Sequence, residues 1–160
     1  LITSSCSKNF GLYSDRVGAL IVCANDAEKL LDVRSQLAFI ARNLWSTPPD
    51  HGAAVVATIL GDTELKQLWS TEVEGMRSRI AQLRSGLVEA LVPHGLAERF
   101  AHVGVQRGMF SYTGLSAEQV KQLREKHSVY MVSSGRANVA GIDETRLGLL
   151  AEAIADVCRN

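Results

Sequence analysis

The chain contains 160 residues, of which 46% are hydrophobic and 21% are charged, as in an ordinary globular protein, so collagen-like, coiled-coil and disordered sequences are excluded. Lys plus Arg and Asp plus Glu each number 17, and the resulting formal charge of zero gives no support to binding of nucleic acid or of an anionic membrane surface. The longest apolar runs, such as residues 17–24, are shorter than the ~20 residues that cross a bilayer.

The first third of the chain has the pattern of two strands followed by two helices. The expected elements are strands at residues 1–5 and 17–23 and helices at residues 26–45 and 53–60. Asn25 or Asp26 is suited to cap the first helix, and Pro48 and Pro49 stop it, because proline donates no backbone hydrogen bond and disfavours helical geometry in the preceding residue. The chain opens inside a strand pattern, which suggests a piece of a longer protein.

The continuous apolar run at residues 17–23 is typical of a strand buried on both faces. Such a strand needs sheet partners and covering helices, and little of this chain precedes it. We therefore expect the region to be covered by a second chain or to be disordered, since it would otherwise expose an apolar patch.

A long helix is expected from Asp62 or Thr63 to about Val92, roughly 45 Å at 1.5 Å per residue, which is long enough to run from one domain into another. Beyond it, the expected elements are strands at residues 103–106, 109–112, 129–132 and 138–140 and helices at residues 116–127 and 143–157. Ser116 and Gln119 have the spacing of a capping box. Helices that alternate with short strands predict an α/β or α+β fold.

The cysteines and histidines give no sign of a disulfide framework or a metal site. The odd number of cysteines and the absence of a C-x-x-C pair favour reduced thiols in a cytoplasmic protein, and the histidines are too scattered to predict a metal centre. These residues are Cys6, Cys23 and Cys158, and His51, His94, His102 and His127.

The segment of residues 5–18 carries the most chemical information. It places Lys8 at the end of a strand among serine hydroxyls, with Arg16 eight positions later. Hydroxyls, backbone amides at a turn and one guanidinium suit a phosphate group, and a Lys amine can form an imine with a carbonyl. Together they are what pyridoxal phosphate requires, although a Lys near serines also fits an ordinary solvated loop.

A family resemblance decides between these two interpretations. The stretch Ser5-x-Ser7-Lys8-Asn9-Phe10-Gly11-Leu12-Tyr13-x-x-Arg16-Val17-Gly18 closely resembles the pyridoxal-phosphate lysine motif of the class I aspartate and aromatic amino acid aminotransferases. The further motifs Pro48-Pro49-x-His51-Gly52-Ala53, Glu74-Gly75-Met76-Arg77-x-Arg79-Ile80, Gly108-Met109-Phe110-Ser111-Tyr112-Thr113-Gly114-Leu115 and Ser134-Gly135-Arg136-x-Asn138-Val139-Ala140-Gly141 follow in that family's order. Residues 107–114 look closest to bacterial tyrosine (aromatic) aminotransferases.

The resemblance implies an α/β fold, as the C-terminal portion of a fold-type-I pyridoxal-phosphate-dependent transferase. Residues 1–61 would be the end of the large cofactor-binding domain, and residues 62–92 the helix that joins the two domains. Residues 93–160 would be the C-terminal small domain, of α+β type.

The resemblance also implies roles in cofactor binding. Lys8 would hold pyridoxal 5'-phosphate through its amine and would be the catalytic acid and base for the substrate alpha carbon. Ser5, Ser7 and Arg16 would belong to the phosphate site, and no metal is implied.

Three more residues would bind substrate. Arg136 would clamp the alpha-carboxylate in a bidentate pair, and Phe110 would pack beside the substrate. Arg42 aligns with the arginine that takes the distal carboxylate in the neighbouring subunit's site. Leu44 and Trp45 follow it where the aspartate enzymes have Asn and Tyr, so the shape of this site departs from theirs. On pattern alone, Arg136 and Arg42 also fit a solvated surface and Phe110 also fits a core.

The implied activity is transfer of the amino group of tyrosine or phenylalanine to 2-oxoglutarate, by a cytoplasmic homodimer whose partners are amino acid and 2-oxo acid substrates, with no nucleic acid and no membrane. The alternatives are an aspartate aminotransferase, or a structural or binding fragment without cofactor. In the family, the acidic partner of the pyridine nitrogen lies upstream of the lysine, so the isolated chain is expected to be inactive.

Overall fold

The computed structural model describes residues 1–159 and consists of helices joined by short strand pairs. The strands are β1 (Ile2–Ser5), β2 (Gly18–Ile21), β3 (Phe110–Tyr112) and β4 (Arg136–Asn138), and the helices are α1 (Ala27–Trp45), α2 (His51–Gly61), α3 (Thr63–Ala90), α4 (Ala97–Val105), α5 (Ala117–His127) and α6 (Leu147–Arg159). The chain divides into two compact units, Leu1–Val73 and the part from Glu74 onward, so that the boundary falls inside α3.

In the first unit, β1 and β2 form an antiparallel pair, and the loop that connects them carries Lys8. Ile2 lies opposite Ile21 and Ser5 lies opposite Gly18. A Cβ on Gly18 would collide with the carbonyl oxygen of Ser4, so the close approach of the two strands requires glycine there.

The prediction that residues 17–23 are a strand buried on both faces is wrong for this structure. The strand is shorter, Gly18–Ile21, and its side chains are exposed, with Leu20 at 50% and Ile21 at 47%. β1 is its single strand neighbour in the described residues, and sheet burial requires neighbours on both sides and helices on the faces. The segment is paired with β1 rather than disordered, and its exposed apolar side chains form the patch that the sequence analysis expects where sheet partners are missing.

The helix boundaries of the first unit follow the capping signals. The Oδ1 of Asp26 accepts hydrogen bonds from the backbone N–H groups of Glu28 at 3.0 Å and Lys29 at 3.3 Å, which confirms the predicted cap of α1. The predicted helix at 53–60 begins two residues earlier, at His51. No residue of α1 is buried.

The second unit contains the hydrophobic core. α3, α4, α5 and α6 contribute most of it, and Leu115 comes from the loop before α5. Its buried members are Leu87, Leu91, Phe100, Val103, Leu115, Val120, Leu123, Ala151, Ala153, Ile154 and Val157. β3 and β4 are antiparallel, with Phe110 opposite Asn138 and Tyr112 opposite Arg136.

Three strand predictions in this unit need correction. Residues 103–106 were expected to be a strand, but Val103 lies in α4, where it and Phe100 are both buried at helical spacing. Residues 129–132 form no strand, and Val129 and Met131 pack against the core from a loop. Only Asn138 of residues 138–140 is in a strand, because the chain turns into a 3-10 helix at Val139.

Two of the helix predictions beyond residue 61 are confirmed, whereas the helix expected at residues 143–157 begins later, at Leu147, after a separate 3-10 helix at Glu144–Arg146. α3 runs from Thr63 to Ala90, as the long apolar repeat predicts. The capping box of α5 is present: Ser116 Oγ accepts from the N–H of Gln119 at 3.2 Å, and Gln119 Oε1 accepts from the N–H of Ser116 at 3.0 Å. Within residues 1–159, no helix has the length and apolar character of a membrane span.

Candidate active site

Lys8 lies in a tight turn that directly follows β1. The N–H of Cys6 donates to the carbonyl of Val17 at 3.0 Å, which continues the strand pairing to the start of the turn. The N–H of Gly11 donates to the carbonyl of Lys8 at 3.3 Å, and Gly11 has φ +69°, a conformation that favours glycine. The Lys8 side chain is exposed, and its Nζ lies 5.5 Å from the centre of the Tyr13 ring, within range of a cation–π contact.

Ser5, at the end of β1, forms a hydrogen-bonded cluster with Ser7 and Arg16 of the loop that follows. Ser7 is only 2% exposed, and its Oγ accepts from Ser5 Oγ at 3.0 Å and from Arg16 Nη1 at 3.5 Å. Arg16 Nη1 also donates to the carbonyl of Tyr13 at 3.1 Å. The structure therefore brings together the three side chains that the sequence assigns to a phosphate site.

Arg16 itself has a backbone conformation that is uncommon for a residue with a side chain. Its φ is +54°, in the left-handed region. Residues held in this region cost about 1–3 kcal/mol and are found most often at ligand sites. In this conformation the guanidinium lies at Ser7, to whose Oγ its Nη1 donates at 3.5 Å.

The residues after Lys8 are held by a helix distant in sequence. Trp69 of α3 donates from Nε1 to the carbonyl of Asn9 at 2.7 Å, and its ring stacks on Phe10 with centroids 4.7 Å apart and planes 13° apart. Sequence reasoning missed Trp69. The available signal was a large aromatic residue outside the apolar repeat of a predicted helix.

In the second unit, Arg136 and Phe110 lie together on one face of the β3–β4 pair. The Arg136 Cζ is 5.0 Å from the centre of the Phe110 ring, the geometry of a cation–π contact. The register explains it: Arg136 is opposite Tyr112, two residues from Phe110, so the two side chains are diagonal neighbours. Both are exposed, and the guanidinium is accessible to an anion.

Backbone geometry fixes the start of β4. Gly135 is buried and has φ +79°, and a Cβ there would lie 2.7 Å from the carbonyl oxygen of Leu115. Its own carbonyl accepts from the N–H of Thr113 at 2.9 Å and from Thr113 Oγ1 at 2.7 Å. Arg136 follows directly, so its position depends on a glycine at 135.

A buried arginine of α3 supports β3. Arg84 is 2% exposed, and it donates to the carbonyls of Val103 at 2.8 Å, Gly108 at 2.7 Å and Phe110 at 2.8 Å, and to Ser111 Oγ. Burial lowers the pKa of the Arg84 guanidinium from its ordinary value, but an arginine remains charged in a protein. No residue pattern around Arg84 indicates this role, because its partners are mainly backbone carbonyls.

The structure does not join every candidate residue. Arg42 lies in the last turn of α1, exposed, in the same unit as Lys8. No contact of its side chain with Ser7 or Arg16 is present in the described part of the chain. Within residues 1–159, no group of three or more His, Cys, Asp or Glu residues is arranged to hold a metal ion.

Comparison with known proteins gives one family. Residues 1–154 match the family model described as aminotransferase class I and II. The aromatic-amino-acid aminotransferase of Pseudomonas aeruginosa is 79% identical over 158 residues, which are 99% of this chain and 40% of that protein. The aspartate aminotransferase of Haemophilus influenzae is 45% identical over 157 residues, 98% of this chain and 40% of that protein. The chain thus spans about 40% of the length of these curated relatives.

Solved structures give the same result. The aromatic-amino-acid aminotransferase from Burkholderia pseudomallei, covalently bound to pyridoxal phosphate, superposes with a TM-score of 0.87 at 44% identity, over 97% of this chain and 39% of that one. The psychrophilic aromatic amino acid aminotransferase from Psychrobacter sp. B6, cocrystallised with aspartic acid, gives 0.90 at 37% identity, over 99% and 40%. These matches confirm the fold class expected from the sequence.

Proposed function

Because the chain belongs to the class I and II aminotransferases, we propose that it forms part of a pyridoxal-phosphate-dependent enzyme that transfers the amino group of an aromatic amino acid to 2-oxoglutarate. The identity of 79% to an aromatic-amino-acid aminotransferase, against 45% to an aspartate aminotransferase, favours an aromatic substrate. The activity is proposed for a protein of the relatives' length. The 160-residue chain alone is expected to show little or no turnover.

The observation that carries the proposal is the cluster of Ser5, Ser7 and Arg16 beside Lys8. Ser7 Oγ is buried and already accepts two hydrogen bonds, so its own proton remains for an acceptor. Arg16 makes both of its hydrogen bonds through Nη1, and among residues 1–159 its Nη2 and Nε have no acceptor. Two guanidinium donors next to a serine hydroxyl suit the oxygens of a phosphate, and this donor set supports binding of the cofactor's phosphate.

The remaining roles are assigned to side chains of the chain. When bound, pyridoxal phosphate supplies an electron sink for charge that develops on the substrate's alpha carbon. The amine nitrogen of Lys8 would hold the cofactor covalently, and would later act as the base and acid that moves a proton between the substrate's alpha carbon and the cofactor. Arg136 would bind the alpha-carboxylate through paired hydrogen bonds, while the Phe110 ring beneath its guanidinium limits the orientations that the arginine adopts.

We also propose the architecture that the family implies. Residues 1–61 would belong to the large domain, residues 62–92 would connect the domains and residues 93–160 would form the small domain. The protein would be a cytoplasmic homodimer. In it, Arg42 would reach the neighbouring subunit's site and bind the distal carboxylate of 2-oxoglutarate.

The proposal is tested by trapping the cofactor on the lysine. The protein expressed from the complete gene is incubated with pyridoxal phosphate and reduced with borohydride, and its peptides are mapped by mass spectrometry. We expect the pyridoxyl group on Lys8, and none on Lys8 in a fragment without catalytic function. Nonspecific labelling would instead spread over the other lysines, Lys29, Lys66, Lys121 and Lys126.

Substrate preference is tested separately. We expect kcat/KM for tyrosine to exceed kcat/KM for aspartate, with 2-oxoglutarate as the amino acceptor. A higher value for aspartate would support an aspartate aminotransferase instead.

A further inference from the structure

Trp69 makes two contacts with the turn that carries Lys8, and both fall on the residues directly after the lysine. Its Nε1 donates to the Asn9 carbonyl at 2.7 Å, and its ring stacks on Phe10 at 4.7 Å. These residues are 60 positions apart in the sequence. Through Trp69, the first part of α3 is tied to the lysine turn.

We propose that Trp69 is a positioning residue for Lys8, which sets the direction of the lysine side chain by fixing the Asn9 carbonyl and the Phe10 ring. The proposal rests on the proposed function of Lys8. It assigns Trp69 no contact with substrate or cofactor.

The hydrogen bond fixes the backbone at the place that matters most for the lysine. The Asn9 carbonyl lies one residue after Lys8, and rotation of the backbone there swings the long lysine stem. The Asn9 side chain offers no second tether, because its Oδ1 is buried and has no partner in the described part of the chain. Reactive groups must be held within about 0.5 Å of their productive position by such supporting contacts.

The position of Trp69 on α3 sets it apart from its neighbours. Leu65 and Leu68 of the same helix are exposed, whereas Trp69 is half-buried and saturates its single N–H. The two contacts also separate experimentally, because phenylalanine retains a ring for stacking but has no donor.

The test compares Trp69→Phe and Trp69→Ala with Gln67→Ala in the protein expressed from the complete gene. Gln67 is an exposed neighbour on α3 whose side chain bonds only within the helix. The measurements are the rate constant for covalent attachment of pyridoxal phosphate at Lys8, followed by absorbance and borohydride trapping, and kcat and KM. Loss of one hydrogen bond is expected to slow attachment and kcat about two- to tenfold in Trp69→Phe. Attachment and kcat are expected to be slower still in Trp69→Ala, and KM is expected to change less than kcat in both Trp69 variants. Gln67→Ala is expected to match the wild type in all three quantities.

A readout without cofactor separates this inference from the proposed function. Lys8 of the free protein is labelled with acetic anhydride, with Lys121, an exposed lysine of the second unit, as internal standard. We expect the Lys8 to Lys121 ratio to change at least twofold in Trp69→Phe but not in Gln67→Ala. Unchanged ratios and attachment rates, with only a lower Tm, would reduce Trp69 to a packing role and overturn the inference. A wild-type protein that forms no pyridoxal-phosphate adduct at Lys8 would overturn the proposed function. In that case the ratio of Lys8 to Lys121 acetylation would still show whether Trp69 positions the lysine side chain.

Discussion

The Nη2 of Arg84 donates to the carbonyl oxygen of Phe110 at 2.8 Å, from a side chain that is 2% exposed. The same nitrogen donates to Gly108 at 2.7 Å, so one buried cation of α3 binds the backbone on both sides of Met109. Among residues 1–159, β4 is the one strand neighbour of β3. Arg84 therefore replaces the second strand that would otherwise hold this edge, and it fixes the residue whose ring lies under Arg136.

Arg84→Met is expected to destabilise the second unit by about 3 kcal/mol or more, because the carbonyls that it leaves unpaired are shielded from water. Arg84→Lys keeps the charge but loses the fork of donors, so its cost is smaller. Urea unfolding followed by circular dichroism measures both. Arg77→Met on the same helix is the matched control, since the ion pair of Arg77 with Glu74 is exposed and its loss should change the stability little. Equal effects of Arg84→Met and Arg77→Met would contradict this role for Arg84.

A comparison of Gly135 with Gly108 separates two costs of adding a side chain: the strain of a positive φ and the steric collision of the new Cβ. Both have positive φ, +79° and +80°, but a Cβ on Gly135 would meet the carbonyl of Leu115 at 2.7 Å, while a Cβ on Gly108 would meet nothing within 4 Å. Gly108→Ala is expected to cost about 1 kcal/mol from backbone strain alone. Gly135→Ala is expected to cost clearly more, and to weaken substrate binding through Arg136. Thermal unfolding measures the loss of stability, and KM measures substrate binding. Equal losses of stability in the two variants would show that the structure relieves the collision at residue 135.

What the sequence predicts well in this protein is local. The Asp26 cap, the Ser116 and Gln119 capping box and the long helix α3 each depend on residues within a few turns of one another, and all three are present. The lysine motif predicted a cluster of Ser5, Ser7 and Arg16, whose members lie at the end of β1 and in the loop that follows.

What the sequence could not predict depends on distant partners. Residues 17–23 have the composition of a buried strand, but burial is decided by neighbours that composition does not reveal. The roles of Trp69 and Arg84 could not be predicted for the same reason. Each is a helix residue that binds a distant backbone carbonyl, 60 positions away for Trp69 and 19 to 26 positions away for Arg84. A carbonyl is present at every residue, so no residue pattern marks the one that will be bound.

The pair of His127 and Asp156 links α5 to α6 and predicts a loss of stability in acid. The hydrogen bond from His127 Nε2 to Asp156 Oδ2, at 2.9 Å, is the main cause that holds the pKa of Asp156 below its ordinary value of 3.8. A lowered carboxyl pKa stabilises the fold above 3.8, and this stabilisation is lost as the pH falls through the lowered value. The Tm gap between wild type and Asp156→Asn should therefore be full above the ordinary carboxyl pKa of 3.8 and should narrow as the pH falls below it. Glu125→Gln, an exposed carboxylate of α5, gives the background effect of removing one charge, and a gap that does not narrow below pH 3.8 would refute the assignment.

Arg136 and Arg42 should affect catalysis in different ways, because one is assigned to the carboxylate that every substrate carries and the other to a second carboxylate. Arg136→Lys keeps the charge but loses the bidentate fork and the planar contact with Phe110, so kcat/KM should fall about tenfold to a hundredfold for tyrosine and aspartate alike. Arg42→Ala should lower kcat/KM for aspartate and 2-oxoglutarate by a similar factor and leave the half-reaction with tyrosine within about threefold. Arg124→Lys, at an exposed position on α5, is the matched control for the first change. Single-turnover absorbance changes with each amino acid measure the two half-reactions separately, and equal losses for tyrosine and aspartate in Arg42→Ala would remove the distal-carboxylate role from Arg42.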